Sequence, residues 1–133
     1  MPNTPTAIPP VSAACYKITG CAINILNTIG PGLNASIYEN CLMIELAKQN
    51  IGFEAKKEIE IVYDGQKVGS TIVPLIVGKL IVVRCISSNK FNETDYSENI
   101  AYLKNLNLPL ALLLNFQFGK LQWKKIVVDP ERI

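Results

Sequence analysis

One segment constrains the fold more than any other: residues 79–86 read Lys-Leu-Ile-Val-Val-Arg-Cys-Ile. Successive side chains of a β-strand point to opposite faces of its sheet, and this segment carries apolar residues at both kinds of position. Such a strand suits a sheet that is covered on both faces. We therefore predict that Lys79–Ile86 is a central strand, with the other elements packed around it.

Two helices and a β-hairpin are predicted before this strand. Asp64-Gly65 is a dipeptide typical of a tight hairpin turn. Pro74 cannot donate a ladder hydrogen bond, so it predicts a bulge or a break in the returning strand. The predicted helices are Ser12–Thr28 and about Asn34–Asn50, and the predicted strands are Glu54–Tyr63 and Lys67–Val73.

One helix and two strands are predicted after it. The helix is expected over Glu93–Leu106, and the strands over Pro109–Phe116 and Leu121–Val128, with the last strand at an edge of the sheet. The resulting order ααβββαββ is typical of a layered α/β domain.

The first eleven residues form a separate segment. They include Pro2, Pro5, Pro9 and Pro10, and prolines at this density disfavour both a helix and a central strand. We predict an extended proline-rich arm over residues 1–11, which lies on its own domain or on a neighbouring copy, and a single domain over residues 12–133.

The composition favours association with other molecules. Hydrophobic residues make up 49% of the 133 residues and charged residues 18%, against a usual charged share of about 25%. A small domain has a large surface for its volume, so few charges leave much apolar surface exposed. The sequence therefore predicts self-association, and the alternative is a monomer with a weakly charged surface.

Several classes of function are excluded or disfavoured. The chain has no histidine, which excludes histidine-based acid–base catalysis and histidine-ligated metals. Its four cysteines form no Cys-x-x-Cys pair, which disfavours a zinc site or a redox pair. We expect no metal, no cofactor and no small-molecule substrate. The absence of a long apolar run and of a secretory signal predicts a cytoplasmic protein without a membrane span.

Short motifs follow one another along most of the chain. They are Ile18–Ile23, Gly30–Leu33, Ser36–Glu39, Val62–Gly69, Ala101–Lys104, Leu112–Phe116 and Lys124–Val127. In this order they resemble the small GxxExxY proteins, bacterial relatives of the PD-(D/E)XK nuclease superfamily. The resemblance implies a PD-(D/E)XK nuclease-like core, which is a mixed β-sheet flanked by helices.

The catalytic positions depart from that resemblance. In active members, a helix glutamate, a strand aspartate and a Glu-x-Lys pair on the next strand hold magnesium and activate water. Here those positions fall on Ala35, Pro74, Val83 and Cys85, none of which offers an oxygen ligand. Glu39, one helical turn after Ala35, can point to the same place. One carboxylate does not make a two-metal site, so we predict that the protein is not an enzyme.

The first functional hypothesis is a self-associating structural or assembly protein on this nuclease-like fold. Apolar patches on the helices, the proline arm or an edge strand would provide the contacts. The candidate contact residues are Pro5, Pro9, Pro10, Tyr16, Phe118 and Trp123.

Two alternatives remain open at this point. One is nucleic-acid binding without cleavage, for which the candidate residues are Lys56, Lys57, Arg84, Lys90, Lys124 and Lys125. Of these, Arg84 is expected to face away from Val83 and Cys85, because neighbours on a strand alternate. The net charge of +2 is too small to indicate a nucleic-acid partner by itself. The other alternative is a regulator that binds an active relative.

Overall fold

The computed structural model describes residues 10–128, which form three helices and five strands. The helices are α1 (Pro10–Ile29), α2 (Ala35–Lys48) and α3 (Glu93–Leu106), and the strands are β1 (Phe53–Tyr63), β2 (Gln66–Val77), β3 (Ile81–Ile86), β4 (Leu110–Asn115) and β5 (Gln122–Val127). The predicted order ααβββαββ is confirmed.

The strands form one mixed sheet in the order β1-β2-β3-β4-β5. β1, β2 and β3 are antiparallel neighbours, β4 is parallel to β3 through the crossover helix α3, and β5 is antiparallel to β4. The predicted central strand is β3, in the middle of the sheet, and β5 is at an edge. The architecture confirms the predicted α/β class with a nuclease-like mixed sheet flanked by helices.

Helices α1 and α2 cover one face of the sheet. Ile18 of α1 and Leu42 of α2 are fully buried in one cluster with Val83 of β3 and Leu112 of β4. This cluster is the larger of the two apolar cores within residues 10–128. Its burial holds the helices against the sheet, since apolar area removed from water contributes roughly 25 cal/mol per Å².

Tyr38 connects the beginning of α2 to the sheet. Its ring stacks on Phe116 with the ring centroids 4.2 Å apart. Its hydroxyl donates to the carbonyl oxygen of Gly30 at 2.7 Å and accepts from the backbone N–H of Leu33 at 3.0 Å. These contacts fix the first turn of α2 relative to β4.

Helix α3 covers the opposite face. Its fully buried Leu103 packs in a second cluster with Val82 and Leu113. The helix begins with a capping box, in which the Asn92 side chain accepts from the backbone N–H of Asp95 and the Asp95 carboxylate accepts from the backbone N–H of Asn92.

Strands β2 and β3 separate soon after they pair. They are joined by the pairs Ile76–Val82 and Val77–Ile81. The β1–β2 hairpin continues well beyond this point, as far as Tyr63. A wedge-shaped opening therefore lies between β2 and β3.

The irregularity predicted at Pro74 is present, but the strand is not broken. The β1–β2 ladder is paired on both sides of Lys56 and Pro74 and does not pair these two residues with each other. Lys56 has a left-handed φ of 51°. The alternation of side chains reverses as a result: Val73 packs on the α3 side, whereas Leu75 packs on the side of α1 and α2.

Two predicted starts are wrong by two residues, and the predicted end of β2 at Val73 is wrong by four, because the strand continues through Pro74 to Val77. Helix α1 begins at Pro10 rather than Ser12, so Pro10 is not part of an extended arm; proline is favoured in the first helical turn. Strand β3 begins at Ile81 rather than Lys79, because Lys79 has a left-handed φ of 54° within the preceding turn.

The rest of the predicted arm, with Pro5 and Pro9, lies outside the described residues. Among residues 10–128, no helix combines the length and the apolar character needed to cross a membrane.

Candidate functional site

The opening between β2 and β3 is a cleft of about 340 Å³ beside the first turn of α2. We call it the β2–β3 cleft; its lining residues are Ala35, Ser36, Glu39, Lys56, Ile72, Pro74, Arg84 and Cys85. Three of the four positions that the sequence resemblance assigns to catalysis are on this lining. The fold therefore brings them together, and the cleft is open.

The residues at these positions do not fit a magnesium site. Ala35, Pro74 and Cys85 offer the cleft no oxygen ligand, and Val83 is fully buried in the apolar core. Hard divalent cations need several carboxylate or carbonyl oxygens. Within residues 10–128, no three cysteine, aspartate or glutamate side chains come together as a metal-binding group.

Glu39 lies in the cleft, as expected from its position one turn after Ala35. Desolvation by burial raises the pKa of its carboxyl, and the nearby charges of Arg84 and Lys56 oppose that rise. The raised pKa means that the two cations only partly compensate the burial of this carboxylate.

Arg84 extends from the cleft to the α3 side of the sheet. Its Nη2 lies 3.6 Å from Oε1 of Glu98 on α3, a distance too long for a hydrogen bond. Its Nε is buried without a hydrogen-bond partner. The expectation that Arg84 faces away from the core side of Val83 and Cys85 is confirmed, since both of those side chains pack with α1 and α2.

Cys85 forms an apolar wall of the cleft. Burial is the main cause that raises the pKa of its thiol far above the ordinary value, and the charge of Glu39 adds to the effect. The group is therefore a neutral thiol at physiological pH, which is neither a good nucleophile nor a ready metal ligand.

The basic residues considered for nucleic-acid contact do not form one surface. Lys56 and Arg84 line the β2–β3 cleft. Lys57 is engaged elsewhere, with its Nζ 2.8 Å from Oε2 of Glu54. Lys125 is on the other face of β5 from Lys124, because strand neighbours alternate.

Lys90 and Lys124 meet in a second pocket, of about 520 Å³, between β5 and the beginning of α3. We call it the β5–α3 pocket; its lining residues are Asn89, Lys90, Phe91, Tyr96, Gln122, Trp123 and Lys124. The Lys124 Nζ is 5.7 Å from the ring centroids of both Phe91 and Tyr96. These are distances at which a cation is attracted to an aromatic face.

Three of the assembly candidates are exposed. Tyr16, Phe118 and Trp123 have 83%, 40% and 49% of their surface accessible. Trp123 contributes to the lining of the β5–α3 pocket, but its ring is on the other face of β5, with the Lys125 Nζ 5.8 Å from the ring centroid. All three side chains are available for contacts with other molecules.

Sequence reasoning did not single out Phe91 and Tyr96. A signal was present, since Lys90-Phe91 places a basic and an aromatic residue side by side in the loop before α3. Lys124, which contacts both rings, is about thirty residues away in the sequence. Only the crossover through α3, which sets β5 beside this loop, brings Lys124 to the two rings.

One of three comparisons with known proteins gives a match, and it agrees with this fold. No curated protein and no solved structure gives a significant match to the chain. The sequence profile of the PD-(D/E)XK nuclease superfamily matches residues 12–126, which is nearly the whole domain. On this match, together with the mixed sheet and its flanking helices, the chain belongs to the PD-(D/E)XK nuclease superfamily.

Proposed function

We propose that this protein is a PD-(D/E)XK domain without catalytic activity and that it functions by association with copies of itself. The observation that carries the proposal is a set of apolar side chains exposed on α1 and α2. The set consists of Tyr16, Ile23, Ile29, Ile37 and Ile44, and we call it the α1–α2 surface.

The β2–β3 cleft supports the loss of catalysis. Active members of this superfamily hydrolyse phosphodiesters with the help of metal ions that are held by carboxylates. The cleft lining has one carboxylate, Glu39, and it faces Lys56 and Arg84. A cation bound there would meet two positive charges and only one carboxylate. We therefore expect no magnesium- or manganese-dependent cleavage of single- or double-stranded DNA or RNA.

The α1–α2 surface supports association. Tyr16 and Ile23 on α1, and Ile37 and Ile44 on α2, are each seven residues apart, which is two helical turns and therefore the same side of the helix. All are exposed, Ile44 by 62%. The outward side of a helix is normally polar in a monomeric domain, so two exposed apolar residues on that side of each helix support an interaction there.

The charge and shape of α1 agree with a helix that is covered. Lys17 is the one charged residue among its twenty. Gly20 lies between Tyr16 and Ile23, and nothing approaches within 4 Å of the place where its Cβ would be. A glycine in the middle of a helix costs up to about 1 kcal/mol relative to alanine. The bare backbone there would let a second helix approach closely.

A second copy of the chain is the partner that we propose. The same patch on two copies can pair about a two-fold axis, which is the commonest way that soluble proteins form homo-oligomers. In such a pairing, apolar side chains of one copy contact apolar side chains of the other. Lys17 is the one charged residue of α1, so repulsion between the two copies of this helix is small.

Sedimentation velocity of two charge-introducing variants tests the proposal. Ile23→Glu places a carboxylate in the centre of the α1–α2 surface, and we expect association to weaken roughly 30-fold or more, as for a central interface residue. Val68→Glu is the matched control, because Val68 is also an exposed apolar residue but lies on the β1–β2 hairpin. Equal association constants for the two variants would contradict the proposal, and so would a monomeric wild-type chain.

A further inference from the structure

We propose that the outer edge of β5 binds the outer edge of β1 in a second copy of the chain, so that the sheet continues from one copy into the next. β1 and β5 are the two edge strands of the sheet, and an edge strand presents backbone N–H and C=O groups that have no partner within the sheet. This inference rests on the proposed self-association and adds a head-to-tail contact to the contact through the α1–α2 surface.

The strand directions favour this pairing. β1 and β3 both run antiparallel to β2, β4 runs parallel to β3, and β5 runs antiparallel to β4. β1 and β5 therefore run in opposite directions. A copy that is displaced sideways without being turned over sets its β1 antiparallel to β5, and it keeps α1 and α2 on the same side of the continuous sheet.

The outer edge of β5 presents the backbone of Trp123, Lys125 and Val127. Val128, directly after β5, donates its backbone N–H to the carbonyl oxygen of the residue before β4. In an antiparallel ladder, the backbone groups of successive residues point alternately to the two sides of the strand. The three residues therefore direct theirs away from β4. Their side chains lie on the side of α1 and α2, because the intervening Ile126 is buried on the α3 side.

The outer edge of β1 presents Glu58, Glu60 and Val62, in the half of the hairpin that extends beyond the separation of β2 and β3. Tyr63 flanks a two-residue turn, and the residues on either side of such a turn exchange hydrogen bonds with each other. By alternation, the three edge residues direct their backbone groups away from β2. Their side chains lie on the side of α1 and α2, since the intervening Ile59 is buried on the α3 side.

One register matches the two edges in both charge and apolar character. When Lys125 lies opposite Glu60 of the second copy, Trp123 lies opposite Val62, and all six residues of β5 are paired. Trp123 and Val62 are both exposed in the single chain. Cross-strand pairs of opposite charge, and of an aromatic with a β-branched residue, stabilise a sheet. The register therefore covers exposed apolar groups and pairs exposed charges at the same time.

The two charged residues are available for this contact. Oε1 of Glu60 lies 3.7 Å from the Nζ of Lys67, and both side chains are more than half exposed. An exposed ion pair of this kind contributes little to stability. The Lys125 Nζ lies over the Trp123 ring and forms no salt bridge with the residues that the structure describes. Pairing with a second copy therefore disrupts no strong interaction.

Each edge disfavours a copy of itself. In the most extensive pairing of two β5 edges, Lys125 of one copy lies opposite Lys125 of the other. Two β1 edges set Glu60 opposite Glu60, or Glu58 opposite Glu60. Like charges directly opposite each other destabilise a sheet. Lysines on an edge strand are a common protection against pairing, but here they leave the acidic edge of β1 as a matching partner. The charges therefore select β5–β1 pairing over same-edge pairing.

Sedimentation velocity of Ile23→Glu isolates this contact, because the substitution disrupts the α1–α2 surface. A head-to-tail contact leaves one edge free at each end, so it forms rings or filaments rather than closed dimers. We therefore expect species that grow beyond a dimer as the protein concentration rises. Negative-stain microscopy of the same samples should show rings or elongated rows.

Two charge reversals in the Ile23→Glu protein test the register. Lys125→Glu and Glu60→Lys each set like charges opposite each other and should each weaken association about tenfold or more. An equimolar mixture of these two proteins should recover the original affinity to within about threefold, because every contact between unlike copies again joins opposite charges. Lys104→Glu, the same change at an exposed residue in the last turn of α3, is the matched control and should have no effect.

The inference is overturned if the mixture associates as weakly as its two components. It is also overturned if both reversal variants, shown by circular dichroism to be folded, associate as tightly as Lys104→Glu, or if the Ile23→Glu protein is monomeric at every concentration. A failure of the α1–α2 contact gives a different result: the Ile23→Glu protein would then associate as tightly as the wild type, and the charge reversals would still weaken it.

Discussion

The β2–β3 cleft and the α1–α2 surface differ from a typical enzyme domain in opposite ways. The cleft is concave and would need charged ligands for catalysis, yet Ala35, Pro74 and Cys85 are on its lining. The α1–α2 surface is convex and would normally carry charges, yet apolar side chains such as Ile44 are exposed there. The difference favours association over catalysis, because the cleft lacks the ligands that catalysis would require, whereas the α1–α2 surface has the apolar side chains that association would use.

The first prediction introduces the same residue into both regions. Val83→Glu buries a carboxylate in a fully apolar cluster beside the cleft and should lower the free energy of unfolding by about 3 kcal/mol or more. Ile37→Glu introduces the same charge on the α1–α2 surface and should change it by less than about 0.5 kcal/mol. Urea unfolding at a protein concentration where the chain is monomeric measures both.

Equal losses of stability in these two variants would contradict the comparison. A destabilised Ile37→Glu would mean that the α1–α2 surface is part of the monomer's core packing. A tolerated Val83→Glu would mean that the cleft can still accept a ligand where the resemblance places a glutamate.

The second prediction compares a thiol from each region. Cys41 is half-buried and lines the groove between α1 and α2, whereas Cys85 is buried with a raised pKa. Because reaction needs an accessible thiolate, Cys85 should be modified by a disulfide reagent roughly 100-fold more slowly than Cys41. Peptide mass spectrometry after timed labelling identifies the modified residue.

The same experiment reports on association. Raising the protein concentration should protect Cys41 in the wild type, since a second copy would cover the groove, and should leave it reactive in Ile23→Glu. Cys41 labelling that is independent of concentration in both proteins would argue against the proposed interface.

The third and smallest effect concerns pH. Burial raises the pKa of Glu39 in the folded state, so ionisation of this carboxyl destabilises the fold as the pH rises through that pKa. Glu39→Gln should therefore raise the melting temperature at pH 7, and the gain should disappear below about pH 4, where the carboxyl is protonated in both states.

Glu60→Gln is the control for this pH series, because Glu60 is an exposed carboxylate on β1. The melting temperatures of both variants and of the wild type are measured between about pH 3 and pH 8, a range that includes the ordinary titration of carboxyl groups. If Glu39→Gln lowers the melting temperature at pH 7, the attraction of the Glu39 carboxylate to Arg84 and Lys56 contributes more to stability than its desolvation costs.

The sequence predicted most of the fold because the strongest patterns were local. The apolar segment that became β3 could be stable only in the middle of a covered sheet. Asp64-Gly65 predicted the β1–β2 turn, and both residues have the left-handed φ values that such a turn needs. The predicted start of α1 at Ser12 is too late: the prolines favour an extended arm, but the helix begins at Pro10, and proline is common at the beginning of a helix.

The features that the sequence could not provide depend on tertiary contacts. No local pattern predicts a left-handed φ at Lys56, because lysine has no preference for it; the partner Pro74 across the ladder is what interrupts the pairing. The β5–α3 pocket likewise needs Lys124 to lie beside Phe91, and only the crossover topology establishes that. Side-chain exposure on α1 and α2 could be expected from composition but not assigned to residues.

The most direct test of the central claim is the absolute mass of the wild-type chain in solution, measured by light scattering over a wide range of protein and salt concentrations. The account predicts particles heavier than the 14.7 kDa monomer that persist at high salt, because apolar contacts are not screened by ions. A mass of one chain under every condition would contradict self-association, whatever the cleft is found to do.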